Sequence, residues 1–439
     1  MATTAATAAG QGRAELAHLY RRAGFGARPD QLDAAVAAGY PATVERLLRA
    51  LSAGAPGATS PPKLDEGRYR RAKDASKEQK RAMAKARRTQ AASLVTWWLD
   101  QMARAEEPLT EKLTLLWHGH WATSIQKVKS AGLMLRQNET LRAHAAADFR
   151  VLARAMVRDP ALLVWLDGPK NKATLPNENL SRELMELFVL GIGHYSEDDV
   201  REAARALTGW RIDKATGVAS LRPAGHDNRP KTVLGQTADF DDQSLVDLLL
   251  AQPASAPFVA KLLWRRMVSP ADPSPAVLAR LLAAYGPGRD VTALVRAVLL
   301  DPAFRSATAR HALVKQPIEY VVGTLRALRL PAGPEVAVTL RGMGQVPFAP
   351  PNVGGWPSGS VWLTASSAQA RVGFAGWAAR QADLSALSRA VPAARIDGVA
   401  RLLSVDAWTP RTRNALAAAS TDPQRLLTLA LASPEYAVS

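Results

Sequence analysis

Residues 176–210 read PNENLSRELMELFVLGIGHYSEDDVREAARALTGW and carry the clearest fold signal in the chain. Leucines recur in the first half at intervals of three or four residues, which is the spacing of a helix that buries one face. Gly-Ile-Gly at 191–193 predicts the end of that helix. Ser196, with Asp199 three residues later, matches a capping box that begins a second helix. The stretch therefore predicts two helices separated by a short turn.

Helical periodicity also dominates the rest of the chain. Leu94, Trp97, Trp98 and Met102 fall on one helical face and predict a buried stripe. Alternation typical of a strand is confined to a short stretch near 230–235. We therefore predict a mainly α fold, a single large multi-helical domain with at most a minor short β element. Long helical patterns cover 131–158, 178–190, 197–208, 243–250, 256–267, 275–284, 290–300, 311–328, 367–381 and 421–432.

Two segments are predicted to be long irregular loops, at 211–242 and at 341–366. The second is rich in glycine and proline, which exclude regular structure, while its tryptophans indicate an ordered loop rather than a linker. The predicted domain plan is a flexible N-terminus (1–12) followed by one helical domain (13–439).

The composition is that of a globular protein. The chain has 439 residues, of which 47% are hydrophobic and 22% are charged, so it is long enough for a large core. Cysteine is absent, which excludes disulfides, thiolate metal sites and cysteine nucleophiles. No apolar run is long enough to span a bilayer, and the N-terminus lacks the pattern of a secretory signal. We therefore expect a soluble protein that is cytoplasmic by default.

Positive charge is concentrated in a protruding basic segment, predicted over 63–92. The formal net charge is +17, and residues 67–90 alone contain ten Lys or Arg and two acids, a net of +8. Such an excess favours an anionic partner: a nucleic acid, an anionic glycan, a phosphorylated substrate or a membrane surface. The simpler interpretation is a solvated helix. Nucleic acid has no support from a recognised binding motif.

His118 and His120 form the first candidate site. Gly119 between them predicts a non-helical geometry, in which both imidazoles lie on one side and bind one metal ion. The structural alternatives are a helix end, where histidine suits the dipole, and aromatic packing with Trp117 and Trp121.

Acidic and polar residues between 177 and 194 form the second candidate site. Glu183 and Glu186 are neighbours on one helical turn, and Glu178 precedes Arg182 by four residues, the spacing of an ion pair. His194, held between two helix ends, is free to be functional. The structural alternative is an amphipathic helix with capping acids.

Two loops supply further candidates. His226 and Asp227 form a pair that is frequent among the ligands of metal-dependent hydrolases, and Lys231 is placed to meet an anion. Asn352 is either an amide ligand or a turn residue. The chain lacks the P-loop, the nucleophile elbow, the zincin motif and the Rossmann glycine pattern, which disfavours the chemistry that each of them supports.

Six segments of the chain resemble a known protein family. They are HLYRRAGFGARP (18–29), PLTEKLTLLWHGHWATS (108–124), residues 176–210 quoted above, GHDNRPKTVLG (225–235), FAPPNVGGWPSG (348–359) and SPEY (433–436). The family is the bacterial domain-of-unknown-function 1800 family (DUF1800), and the resemblance extends over roughly residues 12–438. It implies a helical fold and no assigned activity. Because many members carry export segments, it implies an exported location as the alternative.

The resemblance emphasises the polar positions named above, and one of its motifs differs here. The family tends to have glycine after the His-Asp pair, where this chain has Asn228 and Arg229. That departure weakens the case for a tight ligand loop at 226–231.

We predict an enzyme with one composite site that carries out metal-dependent hydrolysis or phosphoryl transfer on an anionic substrate. The alternatives are a binding module for anionic glycan or nucleic acid, and an accessory or scaffold protein whose polar residues form buried hydrogen-bond networks. The predicted ligands of a divalent metal ion are His118, His120, His226 and Asp227. The predicted catalytic residues are Glu178, Glu183 and His194. The residues predicted to bind substrate are Asn177, Arg182, Lys231, Asn352 and Trp356.

Overall fold

Helices form most of the structure. The computed structural model describes residues 2–52, 58–64, 76–213 and 215–438, and these contain 23 α-helices and two small antiparallel sheets. The predicted mainly α fold with one domain is therefore confirmed.

The first eleven helices extend to residue 206. They are α1 (Ala2–Arg22), α2 (Pro29–Ala38), α3 (Tyr40–Ser52), α4 (Lys77–Arg104), α5 (Leu109–His120), α6 (Ile125–Val128), α7 (Ala131–Ala143), α8 (Phe149–Val157), α9 (Pro160–Trp165), α10 (Asn179–Glu183) and α11 (Glu197–Ala206). A π-helical segment, Leu184–Val189, continues α10, and Gly168–Lys170 forms a 3-10 turn.

Twelve more helices follow the sheets. They are α12 (Asp242–Ala251), α13 (Ser255–Met267), α14 (Pro275–Tyr285), α15 (Val291–Leu300), α16 (Pro317–Leu328), α17 (Pro334–Met343), α18 (Ala365–Gln381), α19 (Ser385–Arg389), α20 (Pro392–Leu403), α21 (Pro410–Ala418), α22 (Pro423–Leu431) and α23 (Pro434–Ala437). Further 3-10 turns cover Pro223–Gly225, Ala309–His311 and Gly359–Trp362. No single helix in the described ranges is both long enough and apolar enough to cross a bilayer. α12 and α13 together have that length and composition, but the pair is bent by 80°.

Polar caps determine where several helices begin. Ser196 accepts a hydrogen bond from the Asp199 N–H, and the Asp199 carboxylate accepts one from the Ser196 N–H at 2.8 Å, so the predicted capping box is confirmed. Asp148 accepts a hydrogen bond from the Arg150 N–H at 2.7 Å and begins α8. The pattern predicted over 131–158 therefore consists of two helices rather than one.

Two clusters of buried hydrophobic side chains support the fold. The first is built mainly by α1–α3 and α8–α15, and the second mainly by α4 and α16–α22. α5 lies between them, with Leu113 and Trp117 in the first cluster and Leu115 in the second. Almost every side chain of α5 is buried, including polar ones such as Glu111, which accepts hydrogen bonds from Arg142 at 2.7 and 3.0 Å. α5 is therefore the central helix of the protein.

Two hairpins, the first of which begins at Trp210, occupy much of the segment predicted as an irregular loop, 211–242. Leu234 and Gly235 connect the second hairpin with φ angles of 50° and 77°, the left-handed pair that suits the twist of two adjacent strands. The β element predicted near 230–235 is therefore confirmed. The strands are β1 (Trp210–Ile212) paired with β2 (Ala219–Leu221), and β3 (Lys231–Val233) paired with β4 (Gln236–Ala238).

Two predicted segments near the N-terminus fall mainly on helices. α1 begins at Ala2, so the residues from 2 to 12 are helical, and the flexibility predicted for 1–12 stays a prediction. In the basic segment predicted over 63–92, residues 65–75 lie outside the described residues, and the residues from 77 onward belong to α4.

Gly323 in α16 provides a test of the packing between the N-terminal region and the second cluster. A Cβ atom there would lie 2.5 Å from the Phe25 carbonyl oxygen, whereas a Cβ on Gly373 in α18 would meet no atom within 4 Å. Gly323→Ala should lower the free energy of unfolding by about 1–3 kcal/mol through overpacking. Gly373→Ala should raise it by roughly 0.5–1 kcal/mol, since alanine favours the helix. Urea unfolding of both variants measures the difference, and equal effects would contradict this packing.

Candidate anion-binding cavity

Both histidines of the Trp-His-Gly-His motif lie on a helix. α5 continues through Gly119 to His120, and the chain leaves it only at Trp121. Side chains two residues apart on a helix point about 200° apart, so the imidazoles of His118 and His120 do not lie on one side. The predicted non-helical geometry is wrong because a helical glycine costs only about 1 kcal/mol, which the packing of α5 on both sides outweighs.

His118 connects α5 to the loop that follows α17. Its Nε2 accepts a hydrogen bond from the Phe348 N–H at 3.0 Å, and its ring contacts those of Trp98 and Trp356. Phe348 has a φ of 65°, a conformation that is costly for a bulky residue. The hydrogen bond to His118 helps to hold it there. Burial lowers the pKa of His118 to about 3, so the ring is neutral.

His120 faces the other side of α5, towards the π-helical segment. Its Nε2 donates a hydrogen bond to the Phe188 carbonyl oxygen at 2.9 Å. Burial, assisted by the charge of Arg266, lowers the pKa of His120 to about 4. The aromatic packing that was the structural alternative for this motif is therefore present. The rings around His120 are those of Trp117, Trp121, Phe149, Phe188 and Phe258.

A cavity of about 40 Å³ lies beside Gly119, at the C-terminal half of α5. This volume is roughly three times the ~10–15 Å³ that one water requires, so the cavity accommodates a group of a few atoms. Leu115 and Leu116 line it on the α5 side. Charged and polar side chains from α5, α13, α16 and the loop after α17 complete the lining, namely Lys112, Arg266, Gln316, Glu319, Gln345 and Trp356.

Lys112 and Glu319 form an ion pair in the wall of this cavity and join α5 to α16. The Glu319 carboxylate also accepts a hydrogen bond from the Gln316 N–H at 2.9 Å, and Gln345 donates to the Gln316 side chain at 2.6 Å. Burial by itself would raise the pKa of Glu319. The charge of Lys112, together with the hydrogen bonds from Lys112 and from the Gln316 N–H, outweighs that effect and holds the pKa of Glu319 below its ordinary value, so the carboxylate is ionised.

Arg266 contributes a second cation to the lining, and it has no partner among the described residues. It forms no hydrogen bond or ion pair with any residue that the structure describes. The adjacent Arg265, by contrast, pairs with Asp272. Burial lowers the pKa of Arg266, and the charge of Glu319 opposes that shift. The cavity is therefore lined by one paired and one unpaired cation.

Three more cations are buried behind this wall. Arg22, Lys315 and Arg371 are 1%, 6% and 6% exposed, and none of them forms an ion pair with another described residue. Each interacts electrostatically with Glu319. Lys315 and Arg371 lie over tyrosine rings at 3.7 and 4.8 Å from the ring centres, and burial lowers the pKa of Lys315 well below its ordinary value. Glu319 thus interacts electrostatically with five basic side chains, those of Lys112, Arg266, Arg22, Lys315 and Arg371.

The loop between α17 and α18 forms the remaining wall. Gly355, with a φ of 81°, packs directly on α5, since a Cβ there would lie 2.2 Å from the Gly119 carbonyl oxygen. This close approach places the ring of Trp356 in the cavity lining, while its Nε1 is buried and has no hydrogen-bond partner in the part of the chain that the structure describes. Asn352 accepts a hydrogen bond from the Gly354 N–H at 2.9 Å, so the turn interpretation of Asn352 agrees with the structure.

The predicted polar residues at 177–182 are half-buried at the start of α10. Arg182 forms ion pairs with Glu178 at 3.0 Å and with Glu197 at 2.7 Å, so the pairing predicted from the spacing is confirmed. The Asn177 side chain accepts a hydrogen bond from the Asn179 N–H at 3.2 Å. These are the contacts of a solvated helix start, which was the structural alternative.

Glu183 and Glu186 flank the point where α10 becomes π-helical. Tyr195 donates a hydrogen bond to the Glu186 carboxylate at 3.0 Å. Burial, and then repulsion by Glu186, raises the pKa of Glu183, which is the direction expected of a general acid or base. His194 is exposed on the turn after the π-helical segment. Neither Glu183 nor His194 lines the cavity beside α5.

The predicted ligands near 226–231 are engaged in other contacts. The buried Asp227 accepts hydrogen bonds from Arg229 at 2.7 Å and from Arg205 at 2.8 Å. Arg229, with Arg205, holds the pKa of Asp227 far below its ordinary range. Lys231 is fully buried in β3 and donates a hydrogen bond to Asp239 at 2.6 Å.

The four predicted metal ligands, as they lie, do not fit a shared ion. His118 and His120 hydrogen-bond backbone groups on different sides of α5, and Nδ1 of His226 lies 3.1 Å from the Thr208 carbonyl oxygen. The oxygens of Asp227 are taken by two arginines. Within the described part of the chain, no group of three or more His, Asp or Glu is arranged to hold a metal ion.

Sequence patterns identified Gly119 and Trp356 but missed the charged residues of the cavity. Glu319 has the pattern of a first-turn acid that caps α16, and Arg266 that of a last-turn base of α13. For Lys112 a signal was present. α5 has apolar residues on both sides, so a lysine within it is buried and requires a counter-ion.

Fold and cavity together define a mainly α protein whose central helix carries a buried ion pair beside a cation-lined cavity. The chain belongs to the DUF1800 family, since the family model described as "Protein of unknown function (DUF1800)" matches residues 18–438. Comparison with curated proteins and with solved structures found no match. The predicted family is confirmed, and its description assigns no activity.

His118 should make the stability of the protein sensitive to acid. Its pKa is about 3 in the folded protein and 6.5 as an ordinary value, so between these values the unfolded chain binds the additional proton. The free energy of unfolding should therefore be unaffected above about pH 6.5 and should fall as the pH is lowered below it. His118→Gln keeps an acceptor for the Phe348 N–H and cannot titrate. It should reduce the loss between about pH 7.5 and pH 5 by about 2 kcal/mol.

Urea unfolding at the two pH values measures this loss. His194→Gln makes the same replacement at an exposed position and serves as the control. If both variants lose as much stability in acid as the unaltered protein, His118 is not a source of the acid sensitivity.

Proposed function

We propose that the protein binds a small oxyanion, a carboxylate or phosphate group, in the cavity beside Gly119. The observation that carries this proposal is Arg266, a cation in the cavity lining without a partner among the described residues. Guanidinium groups form strong, often two-pronged hydrogen bonds with carboxylates and phosphates. Arg266 would hold the anion, and the Gln316 and Gln345 amides beside it would supply further polar contacts.

The charge balance of the interior supports an anion. Five cations interact with the single carboxylate of Glu319, and three of them are buried without an ion pair. Uncompensated buried charge is costly. A bound anion would add counter-charge where the described residues supply one carboxylate, that of Glu319.

The size of the cavity limits what enters it. About 40 Å³ admits the charged end of a ligand rather than a whole metabolite of drug size, which occupies about 300–1,000 Å³. The apolar part of the lining, Leu116 and Trp356, would contact the atoms next to the charged group. Small organic acids and phosphate esters have this form.

Catalysis on the bound anion stays a prediction. The residues predicted to catalyse it, Glu178, Glu183 and His194, do not line the cavity. The raised pKa of Glu183 suits proton transfer. If the protein is an enzyme, we therefore propose hydrolysis or phosphoryl transfer as its reaction.

Arg266→Gln tests the proposal. It removes the unpaired cation and retains a polar side chain, so the affinity for inorganic phosphate or acetate should fall roughly 10–100-fold, the worth of a charged hydrogen bond of about 1.5–3 kcal/mol. Isothermal titration calorimetry at constant ionic strength measures this affinity. Arg265→Gln removes the same charge one residue away, where the side chain already pairs with Asp272, and it should bind as the unaltered protein does. Equal affinities in the two variants would rule out Arg266 as the anion ligand.

A further inference from the structure

The first half of α4 lies outside the core. Each residue from Ser76 to 93 is exposed or partly exposed, and the first buried side chain of the helix is Leu94. This half is about 25 Å long at 1.5 Å per residue. It begins with a capping box in which Ser76 accepts a hydrogen bond from the Gln79 N–H at 3.1 Å. The basic segment is thus a well-formed helix over these residues, with solvent on most sides.

The positive charges of this half lie on one face. At 100° per residue its six cations fall within an arc of about 160°, and none of them forms an ion pair with another described residue. Ala82, Ala86 and Gln79 occupy the opposite face. The six cations, called here the basic stripe, are Lys77, Lys80, Arg81, Lys85, Arg87 and Arg88.

The spacing of the basic stripe identifies the kind of partner that it suits. Six charges over about 16.5 Å of helix give one positive charge per ~3 Å, and duplex DNA carries one negative charge per ~1.7 Å of its axis. We propose that the basic stripe binds the phosphate backbone of duplex nucleic acid without reading its sequence. This binding requires no recognition motif, because contacts with phosphates position a protein and carry no sequence information.

Other anionic partners fit the stripe less well. Residues 76–96 contain no aromatic side chain on which unpaired bases could stack, and stacking is the usual basis of single-strand binding. A helix that lies on a membrane needs large apolar residues opposite its basic face. Here that face carries alanine and glutamine, and Met83 is the largest apolar side chain near it.

A charge-matched pair of variants tests the proposal. The stripe variant combines Lys80→Gln, Arg81→Gln, Arg87→Gln and Arg88→Gln, in which glutamine preserves the helix propensity. The control removes four exposed arginines elsewhere by Arg380→Gln, Arg389→Gln, Arg411→Gln and Arg425→Gln, so both have the same net charge. Circular dichroism establishes that both retain the helical fold. The probe is a random-sequence DNA duplex of about 20 base pairs, followed by fluorescence anisotropy between about 50 and 200 mM NaCl.

We expect the full chain to bind the duplex with an affinity that falls steeply with salt. The stripe variant should bind about tenfold or more weakly, and its slope of log affinity against log salt should decrease by roughly 0.9 for each phosphate that its side chains cease to neutralise. The control should bind as the unaltered protein does. The proposal is overturned if both variants lose affinity equally, which would make net charge the cause. It is also overturned if the full chain binds no duplex, whether or not it binds a sulfated glycan or vesicles of anionic lipid.

Discussion

The interior of this protein depends on the buried contact between Lys112 and Glu319. It joins the central helix to α16, and so links the two hydrophobic clusters between which α5 lies. Breaking such a pair from one side leaves the other charge without compensation, at a cost of about 3–5 kcal/mol. Glu319 is also the counter-charge for Arg22, Lys315 and Arg371. Its carboxylate therefore stabilises a group of cations rather than a single partner.

One carboxylate among five cations leaves two ways to reduce the excess charge. Lys315 can lose its proton, which is the direction in which burial shifts its pKa, or an anion can occupy the cavity. The two are linked. An anion near the group would favour the protonated amine, and by reciprocity a protonated Lys315 would favour the anion. The buried lysine thus connects the proposed ligand to the electrostatics of the second cluster.

Much of the fold follows from the sequence because its signals are local. Leucine spacing, caps such as Ser196 and the short alternation near 230–235 predict helices and a hairpin that the structure contains. At Gly119, by contrast, the local signal predicted a non-helical geometry, and the residue is helical. Glycine favours a turn in isolation, but α5 is packed on both sides, and that packing comes from helices distant in sequence. Local preference was overridden by tertiary burial.

The charged residues of the cavity also could not be predicted from local sequence patterns. Arg266 and Glu319 each have a sufficient local explanation, as a helix-end base and a capping acid. Glu319 has an ion-pair partner on another helix, Lys112, whereas Arg266 has none among the described residues. The spacing of residues within one helix cannot predict such a contact. The reverse holds for Asp227, whose pairing with His226 resembled a ligand set. Its carboxylate is in fact occupied by Arg205 and Arg229.

The net charge of +17 therefore says less about partners than the distribution of unpaired cations does. Many arginines have carboxylate partners, as Arg142 has Glu111, and these attract a further anion weakly. The unpaired cations of the described residues include Arg266 in the cavity wall and the six side chains of the basic stripe on α4. At the wall, burial strengthens the electrostatic interactions of each charge, and the small volume of the cavity suits one oxyanion. On α4 the charges are solvated and individually weak, and only a partner with closely spaced charges engages several of them at once.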